Sequence, residues 1–115
     1  MRMWMIEPKI LCRKHLLGEH VELHMLVGSI KRKKRLDGFV RNGLLELGSL
    51  AERHNDLVAE MTKRGYNHAS PLDVPDISYL SNNVVDAKVD REAALKDLLE
   101  RCDECKQNEL EVNKR

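Results

Sequence analysis

Apolar residues crowd positions 10 to 27: Ile10, Leu11, Leu16, Leu17, Val21, Leu23, Met25, Leu26 and Val27. They point almost all the way round a helix, which predicts a central, largely buried one from Pro8 to about Gly28. Pro8 suits its first turn, where the missing N–H would be unpaired anyway. A second stripe, Leu50, Leu57, Val58 and Met61, follows Ser49-Leu-Ala-Glu52, the form of a capping box. Lys63 and Arg64 suit the negative end of that helix, and Gly65 suits a left-handed stop. A third stripe runs through Val89, Leu95, Leu98, Leu99, Cys102 and Cys105. The basic run KRKKR (31–35) and Gly38, Gly43 and Gly48 read as loop with at most a short helical turn. A polar connection containing Pro71 and Pro75 reaches about Asn83, and the tail after about Asn108 is polar enough to fray. The expected fold is all-α: one compact domain over 1–115, with three main helices, long connecting loops and an N-terminal segment packed against the first helix.

Composition narrows the class. Aromatics are 3% of the chain and β-branched runs are short, which argues against an all-β fold. The net charge of +1 is unevenly spread, with the front half basic and the back half acidic. A basic front half suits a polyanion. No apolar run reaches membrane-spanning length, and the opening MRMWMIEPKILCRK makes a poor signal peptide. Three cysteines, without disulfide-framework spacing, point to a reducing, cytoplasmic setting.

The densest chemistry lies in HLLGEHVELH, residues 15–24. At about 100° per residue, His15, Glu19 and Glu22 share one face, with Gly18 beside them, while His20 and His24 point nearly the opposite way. The order His20-Val-Glu-Leu-His24 misses the metalloprotease pattern, which needs glutamate directly after the first histidine. Carboxylates on a largely buried helix are costly. They form either a salt-bridged stripe or an acid/base site.

Here the sequence resembles the pyrimidine-dimer DNA glycosylase/AP lyase family, the phage-type endonuclease V. Arg2, His15-Leu16, Glu19, Glu22-Leu23, Gly28 and Lys63-Arg64-Gly65-Tyr66-Asn67 carry the resemblance, and Asp76-Ile77 extends it. The family uses the α-amine of the first residue as nucleophile and a glutamate on the first helix as partner. Those positions fall on Met1 and Glu22. Arg2 is too bulky for the usual methionine removal, so Met1 is expected to stay. The resemblance implies an N-glycosylase and AP lyase that acts on pyrimidine dimers or abasic sites. The amine forms an imine with the sugar, and β-elimination then cuts the strand. An α-amine of pKa about 7.7–8.0 is roughly 10–15% unprotonated at pH 7, far more than an ordinary lysine. Glu22 would stabilise developing positive charge and help move protons.

Arg2, His15 and Glu19 are the supporting candidates. His15 either orients the carboxylate, contacts a phosphate or is a partly buried structural histidine. Phosphate contacts are expected from Arg2, Arg13, Lys14, Lys31, Arg32, Lys33, Lys34 and Arg35, making binding salt-dependent. The expected partner is double-stranded DNA with damaged or abasic sites, the expected state a monomer, and no cofactor or metal is assigned. Two arginines of the family's first helix fall on Val21 and Met25 here, and its aromatic tail has no counterpart in CKQNELEVNKR. Trp4 reads as a core anchor. Cys102-Asp-Glu-Cys105 and Cys12-x-x-His15 would make a four-ligand zinc set if the first and third helices met there. Two half-buried thiols on a helix stripe are the commoner arrangement and the one expected. Two other classes compete with the enzyme: a non-catalytic helical nucleic-acid-binding module on the same scaffold, and a helical protein-interaction domain.

Overall fold

A computed structural model describes residues 1–67 and 70–114. Among these the chain is all-α and contains no strand. Its helices are α1 (Arg13–Lys31), α2 (Asp37–Arg41), α3 (Leu50–Lys63), α4 (Asn82–Val85), α5 (Arg91–Arg101) and α6 (Asp103–Val112), with 3-10 turns at Pro8–Ile10 and Leu47–Ser49. α1 packs on α3, and α6 returns to pack on α5 and on the Pro8–Ile10 turn.

The first helix begins later than the sequence pattern suggests. Pro8 opens a 3-10 turn, Leu11 and Cys12 are extended, and α1 starts at Arg13 with Cys12 as its N-cap. Arg64 explains the break: its Nη2 donates to the carbonyls of Pro8 (3.2 Å) and Leu11 (2.7 Å), oxygens that a continuous helix would have used internally. The helix also runs past Gly28 to Lys31. Its inner face is Leu16, Leu23, Leu26, Val27 and Ile30. Val21 and Met25 are about half exposed, at 53% and 54%, so α1 is buried on one side rather than all round.

α3 ends as expected. Gly65 is left-handed (φ +82°), its N–H donates to Thr62 O and that of Tyr66 to Met61 O, the paired bonds of a Schellman stop. Its start differs. Ser49 is the N-cap, but its side chain makes no capping bond. The hydroxyl donates instead to Glu46 Oε2 at 2.6 Å, because that buried carboxylate is the more demanding partner. The third stripe is split in two at Cys102, whose extended backbone ends α5 and whose sulfur caps α6. The helix then continues through Asn108 to Val112.

The N-terminal segment packs against α1. Met3, Trp4 and Ile6 are buried. The Met3 N–H donates to Leu44 O at 2.8 Å. The Trp4 ring meets His15 edge-on, 5.8 Å between centroids, and the Ser29 hydroxyl lies 3.9 Å from Met1 Sδ. The segment therefore runs antiparallel to α1 along one border, with Trp4 low on the helix and Met1 high. Met5, next along it, is left-handed (φ +57°).

Glu46 holds the second half of the chain to the first. It is 2% exposed and accepts from Ser49, from the Val89 N–H (3.0 Å) and from Arg91 through Nη1 (3.0 Å) and Nη2 (3.1 Å). Burial works against its charge, but the Arg91, Ser49 and Val89 donors outweigh that and hold its pKa at about 2, below the usual 4.5. A carboxylate depressed in the folded state adds stability above its unfolded pKa and loses it as pH falls through the folded value. Acid unfolding followed by circular dichroism should therefore show a loss of about 3 kcal/mol between pH 5 and pH 2 that Glu46→Gln lacks.

Candidate active site at the chain start

Helix geometry places His15, Gly18, Glu22, Met25 and Ser29 along the border of α1 that receives the N-terminal segment. On this border the backbone N–H of Arg2 donates to Glu22 Oε2. The α-amine of residue 1 is three covalent bonds before that nitrogen, so it lies within about 4 Å of it. Met1, Arg2 and Glu22 are each partly exposed. A cleft of about 830 Å³ opens beside Met1 and Arg2. Arg41 and Asn42 line it on one side, Asp97 and Arg101 on the other; Glu22 is not among its walls.

Arg2 fixes the segment from its side chain as well. Its guanidinium lies 3.7 Å over the Trp4 ring, and Nη1 donates to Asp97 Oδ2 at 2.6 Å. Asp97 also receives Arg101 at 2.8 Å, and the Arg2 hydrogen bond, followed by the charges of Arg2 and Arg101, holds its pKa below the usual carboxylate range. The chain start is thus tied to α1 by backbone and to α5 by side chain.

Glu19 and His15 stand apart from this pair. Glu19 is 2% exposed and takes both Nε (2.6 Å) and Nη2 (2.9 Å) of the buried Arg53, whose Nη1 donates to Ile6 O at 2.7 Å. That fully satisfied fork spans α1, α3 and the N-terminal segment, a structural arrangement. His15 lies two turns before Glu22, about 10 Å along the axis. It sits among three sulfurs: Nδ1 is 3.1 Å from Cys12 Sγ and 3.6 Å from Cys105 Sγ. Burial, then the charge of Lys14, lowers its pKa, against a smaller opposing effect of Glu104. The four ligating atoms of Cys12, His15, Cys102 and Cys105 lie within 4.8 Å of one another. The Cys105 thiol is pushed up to about 12, first by burial. At Cys102 burial is outweighed by the Cys105 N–H, the Cys105 and Cys12 thiols and the Glu104 N–H, and the pKa falls. His20, His24 and His54 form a separate nest between α1 and α3, as the helical phase of His20 and His24 requires.

The basic residues divide. Arg13 and Lys31 are half a turn round α1 from Glu22. Arg13 lies 4.9 Å over Tyr66, and Lys31 pairs with Asp73 at 3.3 Å. Lys14, Arg32, Lys33, Lys34 and Arg35 are exposed, the last pairing with Asp37 at 3.0 Å. Arg32 closes α1, and Lys33 is left-handed (φ +54°), so the cluster forms a turn at the helix end. Sequence reasoning passed over Arg41 and Arg101 at the cleft, which belong to no motif. It also passed over Arg53, although Leu50, Arg53, Leu57 and Met61 share the inner register of α3 and an arginine there announces a buried partner.

A model of the pyrimidine dimer DNA glycosylase family matches residues 1–74. The matched span contains the N-terminal segment, all of α1 and α3 and the ties between them. It is well over half of the chain, and the protein belongs to that family. Membership makes it a DNA-repair glycosylase with DNA as substrate. No curated protein and no solved structure matches the chain. No helix among the described residues is long and apolar enough to cross a membrane.

The buried fork gives a stability test. Arg53→Ala leaves the Glu19 carboxylate buried without its counter-ion and should lower the unfolding free energy by about 3–5 kcal/mol. Adding Glu19→Leu should recover much of that loss in the same urea titration.

Proposed function

We propose that the protein is a pyrimidine-dimer glycosylase with AP lyase activity, that the α-amine of Met1 is its nucleophile, and that Glu22 is its catalytic carboxylate. The observation that carries this reading is the hydrogen bond from the Arg2 N–H to the Glu22 carboxylate, which holds the first residue against α1 beside an open cleft. The neutral amine attacks C1′ of the damaged nucleotide. The C1′–N bond to the base breaks, the base leaves carrying a proton, and cleavage of the C1′–O4′ bond then opens the ring to a C1′ imine and a 4′ hydroxyl. The imine acidifies the C2′ proton; its removal expels the 3′ phosphate oxygen and cuts the strand. At an abasic site the same imine forms from the C1′ aldehyde, and water leaves in place of a base.

Glu22 stabilises the cation that develops on the sugar and the imine, and relays protons during ring opening and elimination. Arg41 and Arg101 flank the cleft beside Met1 and suit the phosphates next to the lesion. Lys14 and the 31–35 turn supply further contacts from the two ends of α1. Val21 and Met25 present an apolar surface next to Glu22, where the family's arginines stand, so lesion contacts there are apolar rather than ionic. The damaged nucleotide is reached by extrusion from the stack, which a lesion makes cheaper. Glu19, locked to Arg53, and His15, set among the cysteines, support the scaffold rather than the reaction.

Reductive trapping tests the mechanism. Borohydride with abasic-site duplex should give a covalent adduct that maps by mass spectrometry to Met1. An adduct on a lysine would reassign the nucleophile, and its absence alongside salt-sensitive duplex binding would leave only the binding-module reading. Glu22→Gln keeps an acceptor for the Arg2 N–H but removes the charge. It should cut single-turnover strand cleavage by about 10²–10⁴-fold, with little change in duplex affinity.

A further inference from the structure

Two short motifs ninety residues apart meet at one point. Cys12 is the N-cap of α1 and His15 its third residue; Cys102 is the N-cap of α6 and Cys105 its third residue. The two helices bring their N-termini together, and both C-x-x-C/H pairs project into the gap. The Cys12 and Cys102 sulfurs are 3.8 Å apart; His15 Nδ1 lies 3.6 Å from Cys105 Sγ and 3.1 Å from Cys12 Sγ. Zinc binds thiolate at about 2.3 Å and imidazole at about 2.0–2.1 Å, so a tetrahedron around it has S···S edges of about 3.8 Å and S···N edges of about 3.6 Å. The Cys12–Cys102 and His15–Cys105 distances match these edges, the Cys12–His15 contact is the one that a central ion would open, and all four ligand atoms lie within 4.8 Å of one another.

We propose that Cys12, His15, Cys102 and Cys105 bind one zinc ion that fastens the start of α1 to the start of α6.

The surroundings are those of a metal site. All three cysteines are free thiols, and Cys12 and Cys105 are buried. The Cys12 N–H donates to Cys105 Sγ (3.2 Å) and the Cys105 N–H to Cys102 Sγ (3.4 Å), bonds that favour thiolate over thiol. Two helix N-termini add their positive ends. The Trp4 ring, edge-on to His15, fixes the imidazole plane. Cys102 is partly exposed and gives the ion a way in. Four protein ligands fill the coordination shell, so the ion is structural and takes no water to activate. Cys102 and Cys105 lie beyond the family-matched span, so the ion would bind the C-terminal helices to the helix that carries Glu22.

Elemental analysis of the purified chain should find about one zinc per molecule. Cobalt exchanged into the wild-type chain should give the intense visible bands of a tetrahedral thiolate site together with thiolate-to-metal charge transfer. Cys105→Ser and Cys12→Ser should lose the metal, and chelation with a thiol reagent should lower the melting temperature of the wild-type chain. Should either variant fail to fold, the wild-type cobalt spectrum decides alone. Absence of tetrahedral thiolate bands, zinc retained in full by a folded Cys105→Ser, or a Cys12–Cys102 disulfide in the freshly purified protein would each overturn the site. Zinc retained by that variant but lost in His54→Ala would place the metal in the three-histidine nest instead.

Discussion

A hydrogen bond from one backbone N–H to one carboxylate, Arg2 to Glu22, sets the position of the chain's first residue. Chain ends are ordinarily the least ordered part of a domain, because nothing repays the entropy of holding them. Here several contacts repay it together. Met3 is buried and bonded to Leu44, Arg2 is clamped between Trp4 and Asp97, and Met1 lies against Ser29. Helix α1 is the rail to which the segment is fixed, and the border carrying Glu22 is where they touch.

Holding that rail requires charge inside the protein. The Glu19–Arg53 fork sits directly under the N-terminal segment and reaches its Ile6 carbonyl. The Glu46 hub sits under the start of α5 and gathers Arg91, Val89 and Ser49. Each carboxylate is surrounded by donors from elements distant in sequence, so both act as geometric keys as well as stabilising contacts. The Met1 cleft lies between elements that these two hubs position: the N-terminal segment, the loop after α2, and α5. Its shape therefore depends on residues that never touch it.

Much of this was legible in the sequence, and the rest was hidden for identifiable reasons. The apolar stripes located α1, α3 and the third helical region, and Gly65 marked the stop of α3 because a left-handed residue there has few alternatives. Local signals misled where a long-range polar partner intervened. Arg64 shortened the first helix by taking its carbonyls, and Glu46 took the hydroxyl meant to cap α3. The third stripe kept its register across Cys102 although the backbone breaks there, since periodicity is blind to a one-residue interruption. Glu22 and Glu19 were indistinguishable from spacing alone. What separates them is Arg53, which saturates one and leaves the other for the chain start. The meeting of Cys12 with Cys105 could be named as a condition from sequence, but only the return of α6 to the Pro8–Ile10 turn brings it about.

The bond from the Arg2 nitrogen to Glu22 also sets a register of one peptide unit. A polypeptide trimmed by a single residue would turn that amide into the terminus itself. An ammonium would then rest directly on the carboxylate, each quenching the other. An intact first residue instead carries the amine one step past the contact, near the acid but not seated on it. In the proposed reaction that offset is a quantised setting, because a backbone nitrogen moves along the rail only by whole residues.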